Sequence, residues 1–125
     1  MDAAPPLEHS RYLSLATFRR SGAEVATPVW FAAAGGTLYV FTARDSGKAK
    51  RLRASSRARV APCDARGRVK GAWREVTARI VTDHAVIRRA HQALRAKYGW
   101  QMWLADVLAA LFRRTERRAW IAIDA

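Results

Sequence analysis

VATPVWFAAAGGTLYVFTARDSGKAKRLR, Val25 to Arg53, carries two strands, a tight turn and the start of a helix in immediate succession. Val25 to Ala33 is an apolar run interrupted by Pro28. A proline lacks the N–H that a central ladder needs, so this strand lies at an edge or is bulged there, where strands often meet ligands. Gly35-Gly36 supplies a tight turn. Thr37 to Thr42, TLYVFT, is rich in β-branched and aromatic residues and predicts the next strand. The pattern changes at Asp45. Ser46 to Arg53 is polar, charged and helix-tolerant, with Asp45 or Ser46 as the N-cap and Ala49 and Leu52 facing a core.

Outward from this stretch the same punctuation continues. Upstream, Arg11 to Phe18 alternates with a period of two and ends at Arg20-Ser21-Gly22, a strand and its hairpin turn. Downstream, Arg57 to Cys63 and Ala72 to Val81 read as strands joined through Ala65-Arg66-Gly67. Thr82-Asp83 caps a helix whose apolar positions Val86, Ala90, Leu94 and Tyr98 recur every fourth residue, and Gly99 stops it. Trp100, Trp103/Leu104, Val107/Leu108 and Leu111/Phe112 form a second amphipathic helix, ending in Arg113 and Arg114, cations that suit a helix C-terminus. Its tryptophans read as core or dimer packing. Trp120 to Ile123 closes the chain as a short strand. The expected fold is α+β, mainly β: an antiparallel barrel with flanking helices in a single domain over 1–125. Barrel strands fill about 11–82, a helical pair about 83–114 and a last strand about 117–124.

The chain of 125 residues is 50% apolar, enough for a core. Its one cysteine, Cys63, excludes an internal disulfide and a thiolate zinc cage. The N-terminal stretch lacks a signal-like apolar run, and Trp103 to Phe112 contains Asp106 and is too short for a bilayer. The expectation is a cytoplasmic protein with no membrane partner. The formal charge of +13 is unevenly spread: twelve Lys/Arg stand between Arg44 and Arg79 against Asp45, Asp64 and Glu75. Such a bias either concentrates anionic partners or reflects solvated faces.

The reactive inventory is thin. His84 and His91 are seven apart on one helix, not the i, i+4 pair of a zinc helix, and neither they nor His9 come with converging carboxylates, so no metal is expected. Cys63 is either a thiolate activated by basic neighbours or a small buried hydrophobe. No nucleophile elbow and no carboxylate pair is evident, so no catalytic side chain is assigned. An enzyme built this way needs a cofactor for the hard step. Ser46-Gly47-Lys48 offers a hydroxyl, close backbone approach and a charge at a helix N-terminus, which accepts phosphate readily. Thr27-Pro28-Val29-Trp30-Phe31 could wall a ring system, or Val29 and Phe31 are core and Trp30 is interface.

In order, ATF, VATPVWF, GGTLYVFT and ARDSGKAKRLRASSRARVAPCDARG resemble the pyridoxamine 5'-phosphate oxidase-like family, closest to its coenzyme F420-dependent branch, common in actinobacteria. The resemblance covers about Tyr12 to Val81. It implies a split β-barrel (FMN-binding-protein-like, Greek key), a homodimer, and FMN or the deazaflavin F420 bound between subunits. By the same resemblance Ser46, Gly47 and Lys48 contact the cofactor phosphate, supported by Lys50 and Arg51. Thr42 and Arg44 stand at the strand end, and Thr27, Pro28, Val29 and Trp30 line the ring. Ala61-Pro62-Cys63 matches a stretch that follows in this branch. The segment before the first strand is short, and Ala72-Trp73-Arg74 replaces a variable stretch; neither touches the cofactor motif.

The implied activity is hydride transfer from reduced F420 to a small organic acceptor, the protein positioning the two. F420, with a phosphate and glutamate carboxylates in its tail, suits the basic excess better than FMN, the alternative. A non-catalytic cofactor carrier is a further reading. A nucleic-acid-binding barrel, from a different class, draws on the charge. No stacking aromatic pair is interleaved with the basic run, which disfavours it. A homodimer is expected because so short a chain cannot enclose a flavin-sized ring alone.

Overall fold

Alternation of inward and outward side chains builds the sheet. The structure, a computed structural model, describes residues 10–112 and 118–124. In β1 (Tyr12–Phe18), Leu13 and Leu15 are fully buried in the main core. β2 (Glu24–Val29), β3 (Ala32–Ala34) and β4 (Thr37–Ala43) follow. Then come α1 (Gly47–Ala54), β5 (Arg57–Cys63) and β6 (Arg74–Val81). α2 (His84–Tyr98), α3 (Trp100–Leu111) and β7 (Arg118–Asp124) complete the order. β6 begins two residues later than its composition suggests, and β7 is longer at both ends. Arg113 and Arg114, the expected end of the second helix, lie outside the described residues, as does His9.

All strands form one antiparallel sheet in the order β2-β1-β5-β6-β7-β4-β3. Its two edges, β2 and β3, are separated only by Trp30 and Phe31. The chain spans at most about 11 Å from Val29 to Ala32, so the sheet has to curl until its edges nearly meet. The result is the split barrel expected from the sequence.

The expected single strand from Val25 to Ala33 is therefore two, and the break is at Trp30-Phe31 rather than at Pro28. Pro28 stays in the ladder opposite Ser14, on an edge strand where its missing N–H costs nothing. The break has a cause. Phe31 turns fully into the barrel, and its N–H donates to the Tyr98 hydroxyl at 3.0 Å instead of to a strand. Trp30 stacks on the Tyr98 ring at 4.7 Å between centroids.

One core fills the barrel: Leu13, Leu15, Phe31, Val40, Val60 and Ile121 lie at its centre. Burying each such aliphatic side chain contributes about 2 kcal/mol. α1 packs against β1, β4 and β6 and adds Leu52 to that core. A second core lies outside the barrel, where Ala90, Leu94 and Tyr98 of α2 meet Tyr39, Trp120 and Ala122. Asp83 caps α2 through its carboxylate, and Gly99 ends it with φ at 57°, a conformation a side chain would strain.

α3 departs from the expectation of core packing. Met102 is its one buried apolar side chain. The apolar positions that the spacing marks out all face outward, Trp100 at 70% and Leu111 at 72% exposed. Among the described residues no helix is long and apolar enough to cross a membrane.

Candidate functional site

The turn from β4 into α1 is built by short-range hydrogen bonds. The Ser46 N–H donates to the Ala43 carbonyl at 3.0 Å, closing the turn. Ser46, rather than Asp45, is the N-cap: its hydroxyl accepts from the Ala49 N–H at 3.2 Å. Thr42, at the end of β4, donates its own hydroxyl to Ser46 Oγ at 3.3 Å. This fixes the serine while the first amides of α1 remain open to solvent-side acceptors.

Gly47 makes room for a cation. A Cβ there would stand 2.7 Å from an Arg51 guanidinium nitrogen, so the Arg51 head lies folded across the start of the helix. Arg51 is held by its Nε, which donates to the fully buried Thr17 hydroxyl at 2.6 Å. Half-burial pushes the Lys48 amine below its ordinary value, and Arg51 pushes it further. Burial likewise lowers Arg51, with Arg19 adding to the effect. Neither Lys48 nor Arg51 has a carboxylate partner among the described residues. Arg19, Lys48 and Arg51 thus converge on the capped end of α1 as unanswered positive charge. Lys50 is exposed on the same helix, and the Arg44 carbonyl accepts from Arg53 at 2.8 Å.

Thr17 links this turn to β2. Its ladder partner is Val25, two residues before Thr27. The expected ring-lining segment is divided by the strand's alternation. Val29 is buried in the barrel core, and the Thr27 hydroxyl is buried with no hydrogen-bond partner among the described residues. Pro28 faces out, in contact range of a side chain at Gly67 in the β5–β6 connection. Trp30 lies on the far side of the break, against Tyr98. Pro28 and the backbone edge of β2 thus face outward, while the Val29 side chain faces the core. The structure brings Thr42, Ser46, Gly47, Lys48 and Arg51 together and leaves Trp30 apart from them.

A cleft of about 630 Å³ opens on the other side of the same turn, between β4, β7 and α3. Phe41, Thr42, Asp45, Leu108, Phe112 and Arg118 are among the residues lining it. Behind it stands a cluster that sequence patterning did not reveal. Asp106 is 12% exposed and takes Arg118 at 2.8 Å, His91 at 2.8 Å and Arg95 at 3.1 Å. Burial alone would raise its carboxyl; the hydrogen bonds from Arg118, His91 and Arg95 outweigh burial and hold it below the usual carboxylate range. The only sequence signal was a lone acid in an apolar helix.

The other candidates are structural. Cys63 is buried, and burial and Asp64 together raise its thiol against the opposing pull of Lys70, so the activated-thiolate reading fails. Among the described residues no group of three or more His, Cys, Asp or Glu side chains is placed to hold a metal ion.

Comparison with known proteins adds the following. The family model described as pyridoxamine 5'-phosphate oxidase matches residues 2–125. Among solved structures, the chain is similar to the hypothetical protein Rv2991 of Mycobacterium tuberculosis, with 23% identity and a TM-score of 0.69 over 94% of this chain and 74% of that one. It is also similar to HutZ, the heme storage protein of Vibrio cholerae, with 13% identity and a TM-score of 0.67 over 91% and 80%. A Listeria innocua protein named for pyridoxamine 5'-phosphate oxidase shares 14% identity and a TM-score of 0.58 over 94% and 85%. At these identities the likeness is one of fold. No curated protein matches the sequence.

Proposed function

The chain belongs to the pyridoxamine 5'-phosphate oxidase family, and from that premise we propose that it is an oxidoreductase using a phosphate-bearing flavin or deazaflavin. Coenzyme F420 is the favoured cofactor and FMN the alternative, and the reaction is hydride transfer to a small organic acceptor. The observation that carries this reading is the unanswered charge at the α1 turn. Lys48 and Arg51 are both partly desolvated, Arg51 depresses Lys48 while Arg19 depresses Arg51, and neither meets a carboxylate among the described residues. An anion placed there relieves that repulsion and receives the open amides of the helix end.

The residues present fit such a group. In this reading Ser46, Gly47, Lys48 and Arg51 hold the phosphate, with Lys50 and Arg44 adding positive potential and Thr42 holding the serine. The edge of β2 at Thr27, Pro28 and Val29 offers backbone donors and acceptors to the ring, and Trp30 anchors the strand break that sets its direction. The cofactor, when bound, supplies the hydride chemistry. The chain's own work is to orient, to neutralise the tail and to exclude water, which accounts for the lack of an assigned catalytic side chain. The basic excess from Arg44 to Arg79 favours the carboxylate-rich F420 tail over FMN. A second copy of the chain completes the slot.

The test begins with the absorbance spectrum and mass of whatever copurifies from a host that makes F420. Replacing Lys48 with Ala should weaken cofactor binding by about 10- to 100-fold, the worth of one charge-assisted contact. Oxidation of bound reduced cofactor by a panel of acceptors in a single turnover separates an enzyme from a carrier. Tight FMN binding with no affinity for F420 replaces the favoured cofactor. Heme alone, bound undiminished by Lys48→Ala, overturns the reading.

A further inference from the structure

We propose that Thr17 is a positioning residue for the anion at the α1 turn: from inside the barrel wall its hydroxyl aims the Arg51 guanidinium across the start of α1 and leaves the cation's charge unspent. The role rests on the cofactor reading above and adds the residue that sets the geometry of its phosphate grip.

A hydroxyl is out of place where Thr17 stands. It is next to last in β1, laddered to Val25 of β2 on one side and Ala58 of β5 on the other, and fully buried. Valine would fill the same volume, suits a strand as well, and carries no polar group to desolvate. One contact offsets that cost. α1 packs on β1, and Thr17 Oγ1 accepts from Arg51 Nε at 2.6 Å. A bond this short is what a charged donor gives.

Which nitrogen is taken decides the rest. With Nε committed, the two terminal nitrogens keep their N–H groups in the planar fork that grips a phosphate. Gly47 fixes where that fork lies. A Cβ there would stand 2.7 Å from Nη1 and 3.5 Å from Nη2, so the head rests over the first residue of α1 with no side chain between. That places it one residue from the Ser46 cap.

The chemistry of the acceptor matters as much as its position. Elsewhere in the chain arginines are anchored by acids: Arg59 by Glu24, Arg95 and Arg118 by Asp106. A carboxylate holds a guanidinium and cancels its charge; a hydroxyl holds it and cancels nothing. Arg51 is held in the second way, while Arg19 pushes against it and it pushes against Lys48. Fixing a cation beside two others without a counter-charge costs stability, and a bound phosphate offsets that cost.

Titration with inorganic phosphate tests this whichever cofactor the site takes. In wild type the Arg51 Nε–H, assigned by its absence in Arg51→Lys, should give a slowly exchanging proton–nitrogen resonance that phosphate shifts. A second comparison sets FMN against riboflavin, which has the same ring and no phosphate. Thr17→Val should lose about 10-fold in affinity for phosphate and FMN and nothing for riboflavin. Thr17→Ser, which keeps the acceptor, should bind close to wild type. Adding Thr17→Val to Arg51→Lys should cost no further affinity, because the threonine acts through that arginine. A merely structural threonine would give neither this non-additivity nor a loss confined to phosphate-bearing ligands. An Arg51 Nε–H that exchanges freely or ignores phosphate overturns the proposal, even where Thr17→Val does not fold. Undiminished phosphate and FMN binding in Thr17→Val, or equal loss of FMN and riboflavin, overturns it too and leaves the cofactor reading in place. A wild type that binds no inorganic phosphate, and FMN no better than riboflavin, defeats the cofactor reading and this role with it.

Discussion

One hydroxyl governs how β2 becomes β3. Tyr98 accepts from the Phe31 N–H at 3.0 Å and donates to the Arg11 carbonyl at 2.8 Å, deep between helix and sheet. Burial pushes its phenol up to about 12, a rise that the Phe31 hydrogen bond and Arg11 only partly offset. The folded state therefore holds that proton more tightly than the unfolded one. Its stabilisation is complete below the phenol's ordinary value near 10 and is lost as pH rises through about 12. Tyr98→Phe should cost about 1–3 kcal/mol in urea unfolding, by stranding the Phe31 N–H, and should flatten the alkaline decline that wild type shows over that interval. At this scale the sequence was legible where chemistry is local. Ser46 announces a capped helix start by its type alone. The Arg51 bond to Thr17 was not legible, because thirty-four residues separate them and only the curl of the sheet joins them.

The elements tell a parallel story. The alternation of β1 predicted its type, though both of its sides turn out buried, and the four-residue spacing of α2 predicted its type and its buried side, which the chain itself fills. α3 obeys the same periodicity and buries the opposite face, because periodicity states that an apolar stripe is to be covered without stating by what. What keeps α3 in place is Asp106, which ties it to α2 through His91 and Arg95 and to β7 through Arg118. Its depressed carboxyl contributes stability that is present above the ordinary carboxylate range and lost as pH falls through the lowered value. Asp106→Asn should destabilise the fold by about 3 kcal/mol at neutral pH, leaving Arg118 buried and unanswered. Urea midpoints measured from pH 7 to pH 3 should fall in wild type and stay nearly level in the variant.

For the whole molecule, the strands were readable one by one but their neighbours were not. No local pattern says that β7 lies between β6 and β4, or that β2 and β3 end up on opposite edges. The placement of β7 has a temporal consequence. Without residues 118–124 the sheet is two unconnected pieces, β2-β1-β5-β6 and β4-β3, and neither can enclose Phe31 or Val40. A chain truncated after Phe112 should fail to unfold cooperatively in calorimetry, and supplying 118–124 as a peptide should restore a transition in part. During synthesis the strands before it wait, apolar and unsealed, until residues 118–124 have left the ribosome. In a cell, their exposure to chaperones is set by how fast translation passes from β6 to the end of β7.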